Sequence, residues 1–579
     1  MKYSEILTEN KRLAPGDAAD KIYRIGILSN VVLFQLKEVL EYTLRAEGVA
    51  AVVDIAQYDN IIQEADKFAS CDAAILFWDL VQAVPDACHK RHDLGLDEEN
   101  VLFDKISREV LFVLGRLGPV PVVVMNTFSS AGVDAGSPLM EDRLGALAAR
   151  LNVFIRQNKP EGVVVFDLDR LWRQSSMQGW HDARNDHFFR MPYTVEFLVR
   201  YSRALRPVFL SVQGRAKKVL VMDCDNTLWH GIVGEDGLDR LEMSEETPHG
   251  RIFRRVQSLM RVLKDKGVLL ALASKNDAAD VHRVLAEHPH MALREDDFVG
   301  IKANWEEKAD NVRALAAALN LGTDSFVFVD DSDFEVSRMR QCLPEVASFK
   351  VPGRIYEYPE FFTDIMDLFY ARATTAEDSR RTQMYREQTA RVADLGRFTS
   401  MDDYLMSLGL KMRFFVNDLG LIPRLAQMTH KTNQFNLTTH RYSEADLTTL
   451  AQMPQGAVLA FQAEDKFGDL GIAGMAVIRS ESGDTAIIDS LLMSCRVIGR
   501  GLEGAFLNAG VRWLAGHGYR RVKAEYVRTL KNGLVSGFYD ELGFRCVADD
   551  GTCKRYEMEL EQYQSRNVHY IEVLDGSKG

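Results

Sequence analysis

Residues 216–229 of the chain read AKKVLVMDCDNTLW, and this stretch decides the fold of the region around it. Four apolar residues, Val219–Met222, are followed by Asp223 and, two positions later, by Asp225. Because side chains of a strand alternate between its two faces, both carboxylates lie on one side of the strand's end. Thr227 adds a hydroxyl in the next turn. Open parallel sheets place ligands at the carboxyl ends of their strands, so the pattern indicates a polar site on an α/β fold.

Two later stretches repeat this arrangement. In residues 267–277 (GVLLALASKND) the apolar part is followed by Ser274. In residues 324–335 (DSFVFVDDSDFE) the apolar part is followed by Asp330 and Asp331. Clustered carboxylates raise one another's pKa unless a cation neutralises them, and their hard oxygen atoms suit Mg²⁺. We therefore expect one magnesium site at the shared edge of these strands.

The residue types at this edge match the separate roles that phosphoryl transfer requires. One carboxylate serves as nucleophile and another as acid or base, while a hydroxyl and a lysine bind and neutralise the phosphate. The predicted catalytic residues are Asp223, Asp225, Ser274 and Lys308, the predicted metal ligands are Asp223, Asp225, Asp330 and Asp331, and the predicted phosphate- or substrate-binding residues are Asn226, Thr227, Lys275 and Asn276.

The order D-x-D-x-T, S, K and DD resembles the haloacid dehalogenase (HAD) superfamily. Residues 223–237 (DCDNTLWHGIVGEDG) and 327–335 (VFVDDSDFE) are similar to its FkbH-like branch. This resemblance implies that Asp223 is the nucleophile, that Asp225 is the acid/base, and that Asp331 holds Mg²⁺ together with the backbone of Asp225.

A second lysine and one local departure bear on this comparison. Lys302 is a rival to Lys308, but Asn304 and Trp305 before Lys308 match the NWxxK segment of the family. Residues 332–335 read SDFE where the family has Asn-Pro-x-Glu, so we expect a different local turn with the metal site retained.

The short intervals between Thr227 and Ser274, and between Ser274 and Lys308, leave little room for a separate cap domain. A capless site needs another cover, and the neighbouring domains or a macromolecular substrate are the natural lid.

The last third of the chain contains a glycine-rich turn between an expected strand and an expected helix. It reads R-x-x-G-x-G and supplies the predicted phosphate-binding residues Arg496, Gly499, Arg500 and Gly501. Glycines let a backbone approach phosphate, and a helix N-terminus offers N–H donors. With Asn532, Tyr539, Gly543 and Phe544 further on, the region resembles the acetyltransferase fold called GNAT.

Residues 431–442 (KTNQFNLTTHRY), 467–471 (FGDLG) and 494–503 (SCRVIGRGLE) extend the FkbH-like resemblance to this region. Enzymes of that family are described as taking 1,3-bisphosphoglycerate, losing phosphate and loading a glyceryl unit onto the phosphopantetheine thiol of an acyl carrier protein. The resemblance thus implies Mg²⁺, 1,3-bisphosphoglycerate and a phosphopantetheinylated acyl carrier protein as cofactor, substrate and partner, in polyketide or related natural-product biosynthesis.

Moving an activated acyl group requires mainly a thiolate and stabilisation of the carbonyl oxyanion. Cys495 ends the strand before the glycine-rich turn, where GNAT folds present a thioester. Cys224 lies between the two site aspartates, whose charges would raise its thiol pKa. Both cysteines remain candidates for an acyl carrier, with Cys495 favoured, and direct transfer without either is the alternative.

The amino-terminal region alternates expected strands and helices, which predicts a parallel sheet. Ser29-Asn30 after its first strand and Asp186-His187 later resemble an SGNH-type hydrolase layout, although a docking or lid function is the preferred interpretation. The predicted fold class is thus α/β with three domains: a flavodoxin/SGNH-like domain at 1–206, a capless HAD Rossmannoid domain at 207–375, and a linker helix with a GNAT-like α+β domain at 376–579.

Composition excludes several other classes. The chain has 579 residues and a net charge of −13 without a Lys/Arg-rich block, which argues against nucleic-acid and membrane partners. The polar start predicts no signal peptide, and seven cysteines without CxxC pairs predict reduced thiols, so we expect a cytoplasmic protein. Three hypotheses remain: a glyceryltransferase with phosphatase chemistry, a plain phosphatase, and a carrier-binding adaptor without catalysis.

Overall fold

The computed structural model describes residues 2–15, 22–131, 140–160, 162–173, 179–371, 380–395, 398, 400–529 and 531–576. These form two compact units, Met1–Val212 and Gln213–Gly579. The domain boundary expected after residue 206 falls within a helix, Val195–Val212, and the boundary expected after residue 375 lies outside the described residues.

The first unit is built on a parallel sheet of five strands in the order β2-β1-β3-β4-β5. The strands are β1 (Tyr23–Ser29), β2 (Ala51–Ile55), β3 (Ala73–Phe77), β4 (Val123–Asn126) and β5 (Val163–Phe166). The helices are Tyr3–Arg12, Phe34–Arg45, Ile61–Glu64, Leu80–Ala83, Ala87–Lys90, Leu96–Arg116, Arg143–Asn158, Leu168–Arg173, Ala183–Phe189 and Val195–Val212. This strand order is that of flavodoxin-like doubly wound folds, and the strand β3 is buried along its whole length, as a sheet covered on both faces requires.

The second unit begins with another parallel sheet, in the order β10-β9-β6-β7-β8. Its strands are β6 (Val219–Met222), β7 (Leu269–Ser274), β8 (Phe298–Ala303), β9 (Phe326–Asp330) and β10 (Ala347–Lys350), and its helices are Val233–Asp236, Pro248–Asp265, Ala278–Glu287, Lys308–Leu319, Asp333–Cys342 and Tyr358–Met366. Between β6 and β7 the structure has a short helix, a 3-10 turn and one longer helix, which is the capless arrangement expected from the sequence.

A mixed sheet of eight strands completes the second unit, in the order β16-β17-β15-β14-β13-β12-β11-β18. Its strands are β11 (Leu410–Val416), β12 (Gly456–Asp465), β13 (Gly468–Ser482), β14 (Thr485–Met493), β15 (Arg521–Val527), β16 (Arg545–Asp549), β17 (Cys553–Glu559) and β18 (Ile571–Asp575), and its helices are Met401–Ser407, Ile422–Lys431, Glu444–Gln452, Leu502–Gly516 and Phe538–Glu541. The neighbouring strands β14 and β15 are parallel and pair only from Thr485/Arg521 to Ile488/Ala524.

The helix Arg381–Leu395, called the connector helix below, packs against both sheets of this unit. Met384 and Tyr385 are buried on it, and Arg391 is buried in a bidentate ion pair with Asp465 of β12. The charged segment expected to be a linker therefore contributes to the core, since its apolar and ion-paired side chains fill the space between the sheets.

Throughout the part of the chain that the structure describes, no helix has both the length and the apolar character needed to cross a membrane.

Candidate active site

Four residues predicted from the sequence meet at the carboxyl edge of the parallel sheet of the second unit. Ser274 is the last residue of β7, and Asp223 directly follows β6. The Ser274 hydroxyl donates a hydrogen bond to Asp223 Oδ1 at 2.7 Å. Lys308 Nζ, at the start of its helix, lies 2.8 Å from the same oxygen and 2.6 Å from Asp330 Oδ2. Lys308, and not its rival Lys302, thus joins the two carboxylates.

Asp225 has a separate set of donors. Trp229 Nε1 donates to Asp225 Oδ1 at 2.9 Å, and the backbone N–H of Val233 donates to the same atom at 3.1 Å. The Asn276 amide donates to Asp225 Oδ2 at 2.9 Å and to the Ser274 hydroxyl oxygen at 3.1 Å. Donors on both oxygens fix the orientation of this carboxylate, as a positioned acid/base requires.

The carboxylates of Asp223, Asp330 and Asp331 offer oxygen atoms that all lie within 4.8 Å of one another. Burial, and then the charge of Asp223, raises the pKa of Asp330 to about 6. The same two causes raise the pKa of Asp331. Three crowded, partly dehydrated carboxylates are a donor set that fits a hard divalent cation such as Mg²⁺. Asp225, which the sequence also predicted as a ligand, contributes no carboxylate to this group.

The same carboxylates control the lysine between them. Burial opposes the charged form of Lys308, but Asp223 and Asp330 outweigh it and raise the pKa of this ammonium above its usual range. Lys308 therefore stays cationic at any physiological pH.

The turn after β6 positions the remaining predicted residues. Asn226 adopts φ of 51°, and its side-chain oxygen accepts the N–H of Gly231 at 3.1 Å, so it shapes the turn. Thr227 is fully buried, and its hydroxyl has no hydrogen-bond partner among the described residues. The carbonyl oxygen of Thr227 accepts a hydrogen bond from Tyr358 at 3.1 Å.

The segment that departs from the expected family pattern forms an ordered helix start. The Ser332 N–H donates to Asp330 Oδ1 at 2.9 Å, and its hydroxyl caps the helix by accepting the N–H of Glu335. Glu335 pairs with Lys275 at 2.8 Å. Lys275 therefore lies beside the site in an ion pair.

Sequence reasoning missed Trp229, Glu335 and Tyr358 as parts of this site. Trp229 stands four residues after Asp225 in the same quoted stretch, so its position was a usable signal. Tyr358 lies far along the chain and no local pattern joins it to Thr227. His230, Glu242 and His249 form a further, more exposed group of possible metal ligands, and His249 lies in the helix Pro248–Asp265.

The two candidate cysteines occupy different environments. Cys224 is fully buried, and burial followed by the charge of Asp223 raises its thiol pKa well above the usual value. Cys495 is partly exposed and lines a cavity, with its Sγ 3.4 Å from the hydroxyl of Tyr385. The structure thus brings Cys224 next to Asp223 but in an unreactive state, and leaves Cys495 apart from the aspartates.

The glycine-rich turn has the conformation that its glycines allow. Gly499 and Gly501 have φ of 80° and 75°, in the left-handed region that other residues rarely adopt. The side chains of Val568 and Tyr570 pack directly on Gly501, where the helix Leu502–Gly516 begins. A phosphate at this helix N-terminus would have to displace them.

The two arginines of the turn point into the protein. Arg496 donates to Ser494 and to the sulfur of Met384, and Arg500 donates to Gln388 and lies 3.5 Å from Asp465. Burial lowers the pKa of Arg500 to about 10. These contacts hold the two arginines against the connector helix and β12. They do not test whether Arg496 and Arg500 bind phosphate, as the sequence predicted.

A feature not expected from the sequence fills the gap where β14 and β15 diverge. The segment 435–437 lies between them: Leu437 donates its N–H to Leu491 at 3.1 Å, and its carbonyl accepts the N–H of Val527 at 2.8 Å. Asn532 supports this insertion, because its amide donates to Asn436 O at 2.9 Å. Asn532 and the nearby Tyr539 are both buried, and Gly543, before Phe544, has φ of 82°.

In the amino-terminal unit the four residues of the expected hydrolase layout do not form one hydrogen-bonded set. The Ser29 hydroxyl accepts the N–H of Val31, and Asn30 exchanges hydrogen bonds with the backbone of Asp79. Asp186 pairs with His181 at 3.1 Å, while His187 is exposed. A hydrolytic triad there has no supporting contact among the described residues.

The architecture is that of a mixed α/β chain with parallel sheets, as the sequence predicted. Among solved structures, the N-terminal part of the protein BF1531 from Bacteroides fragilis, which contains a phosphatase domain complexed with Mg, is similar: its TM-score is 0.58 and its identity 22%, over 64% of this chain and 100% of that chain. At this identity the likeness shows a shared fold.

Two acetyltransferases align with the chain at low TM-scores, on which no conclusion rests. The ribosomal-protein-S18-alanine N-acetyltransferase from Escherichia coli has a TM-score of 0.21 and 16% identity, over 27% of this chain and 97% of that chain. The PaiA N-acetyltransferase from Thermoplasma acidophilum, in complex with coenzyme A, has a TM-score of 0.21 and 13% identity, over 26% of this chain and 98% of that chain. No protein-family model and no curated protein matches the chain.

Proposed function

We propose that this chain is a Mg²⁺-dependent enzyme that removes phosphate from 1,3-bisphosphoglycerate and transfers the glyceryl group to the phosphopantetheine thiol of an acyl carrier protein. The observation that carries the proposal is the arrangement of Asp223, Ser274, Lys308 and Asp330 within hydrogen-bond and ion-pair distance. The FkbH-like resemblance supplies the substrate and the partner.

The contacts of Asp223 support its role as the nucleophile. Ser274 and Lys308 both contact Oδ1, so among the described residues these donors leave Oδ2 for bond formation with phosphorus. Attack forms an aspartyl phosphate and expels the substrate oxygen, which takes a proton from Asp225. Asp225 then accepts a proton from the water that hydrolyses the aspartyl phosphate.

Asp223, Asp330 and Asp331 are the residues that would hold Mg²⁺. When bound, the ion would neutralise the carboxylates and stabilise negative charge on the phosphoryl oxygens. Ser274 and Asn276 then act as neutral donors beside the phosphate, and Lys308 supplies a fixed positive charge.

A plain phosphatase is the second candidate, because the similar BF1531 structure contains a phosphatase domain with Mg. Intact-mass analysis of a holo-carrier protein, incubated with the enzyme, Mg²⁺ and 1,3-bisphosphoglycerate, separates the two. A glyceryl adduct on the carrier is expected, and the same reaction with apo-carrier is the control. Phosphate release with an unmodified carrier would establish the plain phosphatase, and carrier binding without either product would establish an adaptor.

A further inference from the structure

A cavity of about 430 Å³ lies at the amino edge of the same parallel sheet that carries the aspartates at its carboxyl edge. Lys218 and Ser325 line it and directly precede β6 and β9, whereas Asp223 and Asp330 stand at the other ends of these strands. The five steps along the chain from Lys218 to Asp223 span roughly 16 Å of strand. The cavity is therefore a different place from the phosphoryl site.

The walls of this cavity are strongly cationic. Among the described residues that line it, Asp324 provides the carboxylate, and it pairs with Lys531. The cationic side chains are those of Lys218, Arg381, Arg424, Lys431, Arg496 and Lys531. The volume is that of a small-molecule site, and an excess of positive charge in a half-open cavity favours a multiply charged anion such as a phosphate ester.

The environment of Lys218 is a second reason to expect an anion in this cavity. Its ammonium donates to the carbonyl oxygen of Lys431 at 3.0 Å, and within the described part of the chain no carboxylate lies within 4 Å of it. Burial lowers the pKa of Lys218 to about 8. A half-buried ammonium with no carboxylate at ion-pair distance, and Asp324 only as a more distant neighbour, is costly, and an anionic ligand beside it would offset that cost.

The thiol of Cys495 shares this cavity with the cations. Lys218 lies close enough to Cys495 for their charges to interact, and the Tyr385 hydroxyl lies 3.4 Å from Sγ. Burial raises the pKa of Tyr385, so its hydroxyl stays protonated, and either this hydroxyl or the thiol can donate the hydrogen bond between them. A bound phosphate ester would thus sit beside a thiol that has both a cation and a hydrogen-bond partner.

We propose that this cavity binds a phosphate-bearing ligand next to Cys495, and that the acyl-transfer half of the proposed function takes place here and not at the aspartates. The location of acyl transfer rests on the proposed function, whereas phosphate binding stands on the cavity alone. Two sources offer the same chemistry: a phosphorylated three-carbon acid and the phosphopantetheine arm of a carrier protein.

Protection of Cys495 from alkylation tests the proposal. The full-length Asp223→Asn chain, kept in EDTA so that no ligand is turned over, is treated with iodoacetamide, and each cysteine is quantified by peptide mass spectrometry. Either 3-phosphoglycerate or 4′-phosphopantothenate, which carries the arm's phosphate without its thiol, should slow modification of Cys495 at least about fivefold. The exposed Cys88 and Cys546 should react at unchanged rates.

Comparison of the ligands identifies the source and the chemistry. The phosphorylated compound that protects Cys495 at the lower concentration identifies the source of the phosphate. Glycerate and pantothenate, which lack the phosphate, should require about tenfold higher concentrations for the same protection than their phosphorylated counterparts. Absence of protection by both phosphorylated compounds would overturn the proposal, even where wild-type enzyme releases phosphate. Protection in an enzyme that loads no carrier would uphold the site and count against the proposed function instead.

Matched variants locate the binding. Lys218→Met and Lys531→Met should each raise the half-protecting concentration about tenfold, and the exposed Lys266, which does not line the cavity, should give no change as Lys266→Met. If Lys218→Met fails to fold, the partly exposed Lys531 decides the question. Unchanged half-protecting concentrations in the folded cavity variants would overturn the proposal.

Discussion

At the scale of single residues, the chemistry of Asp223 depends on which donors contact each of its two carboxylate oxygens. Ser274 and Lys308 both contact Oδ1, so the two oxygens of this carboxylate are chemically unequal. An amide at this position keeps the shape and one oxygen acceptor but removes the negative charge and the nucleophile. Lys308 keeps Asp330 as a partner in such a variant.

Asp223→Asn is therefore expected to fold and to lose more than about a thousandfold in phosphate release from a monoester such as 3-phosphoglycerate. Released phosphate and the circular dichroism spectrum check the two parts. The wild type in EDTA should lose release as well, because Asp223, Asp330 and Asp331 are left without a neutralising cation. Full activity of either sample would contradict the assignment.

Lys218 gives a pH dependence whose sign follows from its lowered pKa. Burial brings this pKa to about 8, so the ammonium is charged below pH 8 and loses its charge as the pH rises. The phosphate ligand is already a dianion above about pH 6. Binding should thus be strongest below pH 8.

Calorimetry in a Cys495→Ser background, which removes thiol ionisation, measures this effect. The affinity for the protecting phosphate ester should fall roughly tenfold between pH 7 and pH 9. Lys218→Met in the same background should bind more weakly at pH 7 and show a flatter profile. A steep profile that survives this substitution would assign the titration to another group.

At the scale of elements, the connector helix is held by a buried ion pair. Arg391 places Nε 2.7 Å from Oδ2 of Asp465 and Nη2 2.6 Å from its Oδ1, and both side chains are almost fully buried. Arg500 from the glycine-rich turn lies 3.5 Å from the same carboxylate. Asp465 thus joins the helix, β12 and the turn, and Glu387 of the helix lies 3.8 Å from Arg391 as a second, more distant carboxylate.

Asp465→Asn should lower the free energy of unfolding by about 3–5 kcal/mol, because it removes the bidentate partner of the buried Arg391, which keeps Glu387 at 3.8 Å, and the carboxylate beside the buried Arg500. The matched control is Asp296→Asn, which breaks the ion pair of Arg386 on the same helix at an exposed position. That change should cost less than about 1 kcal/mol. Denaturant titrations of both variants make the comparison, and equal losses would refute a special role for Asp465.

At the scale of the whole molecule, the sequence predicts what lies at the ends of apolar strands and little of what lies between elements. Asp223, Ser274 and Asp330 each follow their own strand, and parallel strands bring such ends to one edge. The parallel sheets were predictable from the alternation of strands and helices, and the capless connection from the short intervals between Thr227, Ser274 and Lys308. Placing Lys308 required a family resemblance, because its helix begins away from any strand end.

The cavity had no comparable signal. Lys218 precedes a strand, Arg381 lies on the connector helix, and Cys495 follows a strand of another sheet. No local periodicity relates these positions, and their proximity depends on how the two sheets and the helix pack. The insertion of residues 435–437 between β14 and β15 was unpredictable for the same reason, since only the divergence of those strands makes room for it.

Two sites at opposite edges of one sheet imply that loss of either should produce a different product. If acyl transfer occurs beside Cys495, the thiol attacks the acyl phosphate carbonyl of 1,3-bisphosphoglycerate and the C1 phosphate leaves as inorganic phosphate. The acyl group then passes to the carrier thiol, and Cys495 regains its proton. The C3 phosphate is a separate ester, which only the aspartate site hydrolyses.

Asp223→Asn should therefore still load the holo-carrier, but with a glyceryl group that keeps its C3 phosphate, whereas wild type gives the dephosphorylated adduct. Cys495→Ala should hydrolyse the C3 ester at the wild-type rate and load nothing, and Cys224→Ala is the control that should load normally. Intact-mass spectra of the carrier, with spontaneous acyl-phosphate hydrolysis subtracted, distinguish these products. Loading by Cys495→Ala at the wild-type rate would establish direct transfer, and loss of loading in Asp223→Asn would place both reactions at the aspartates.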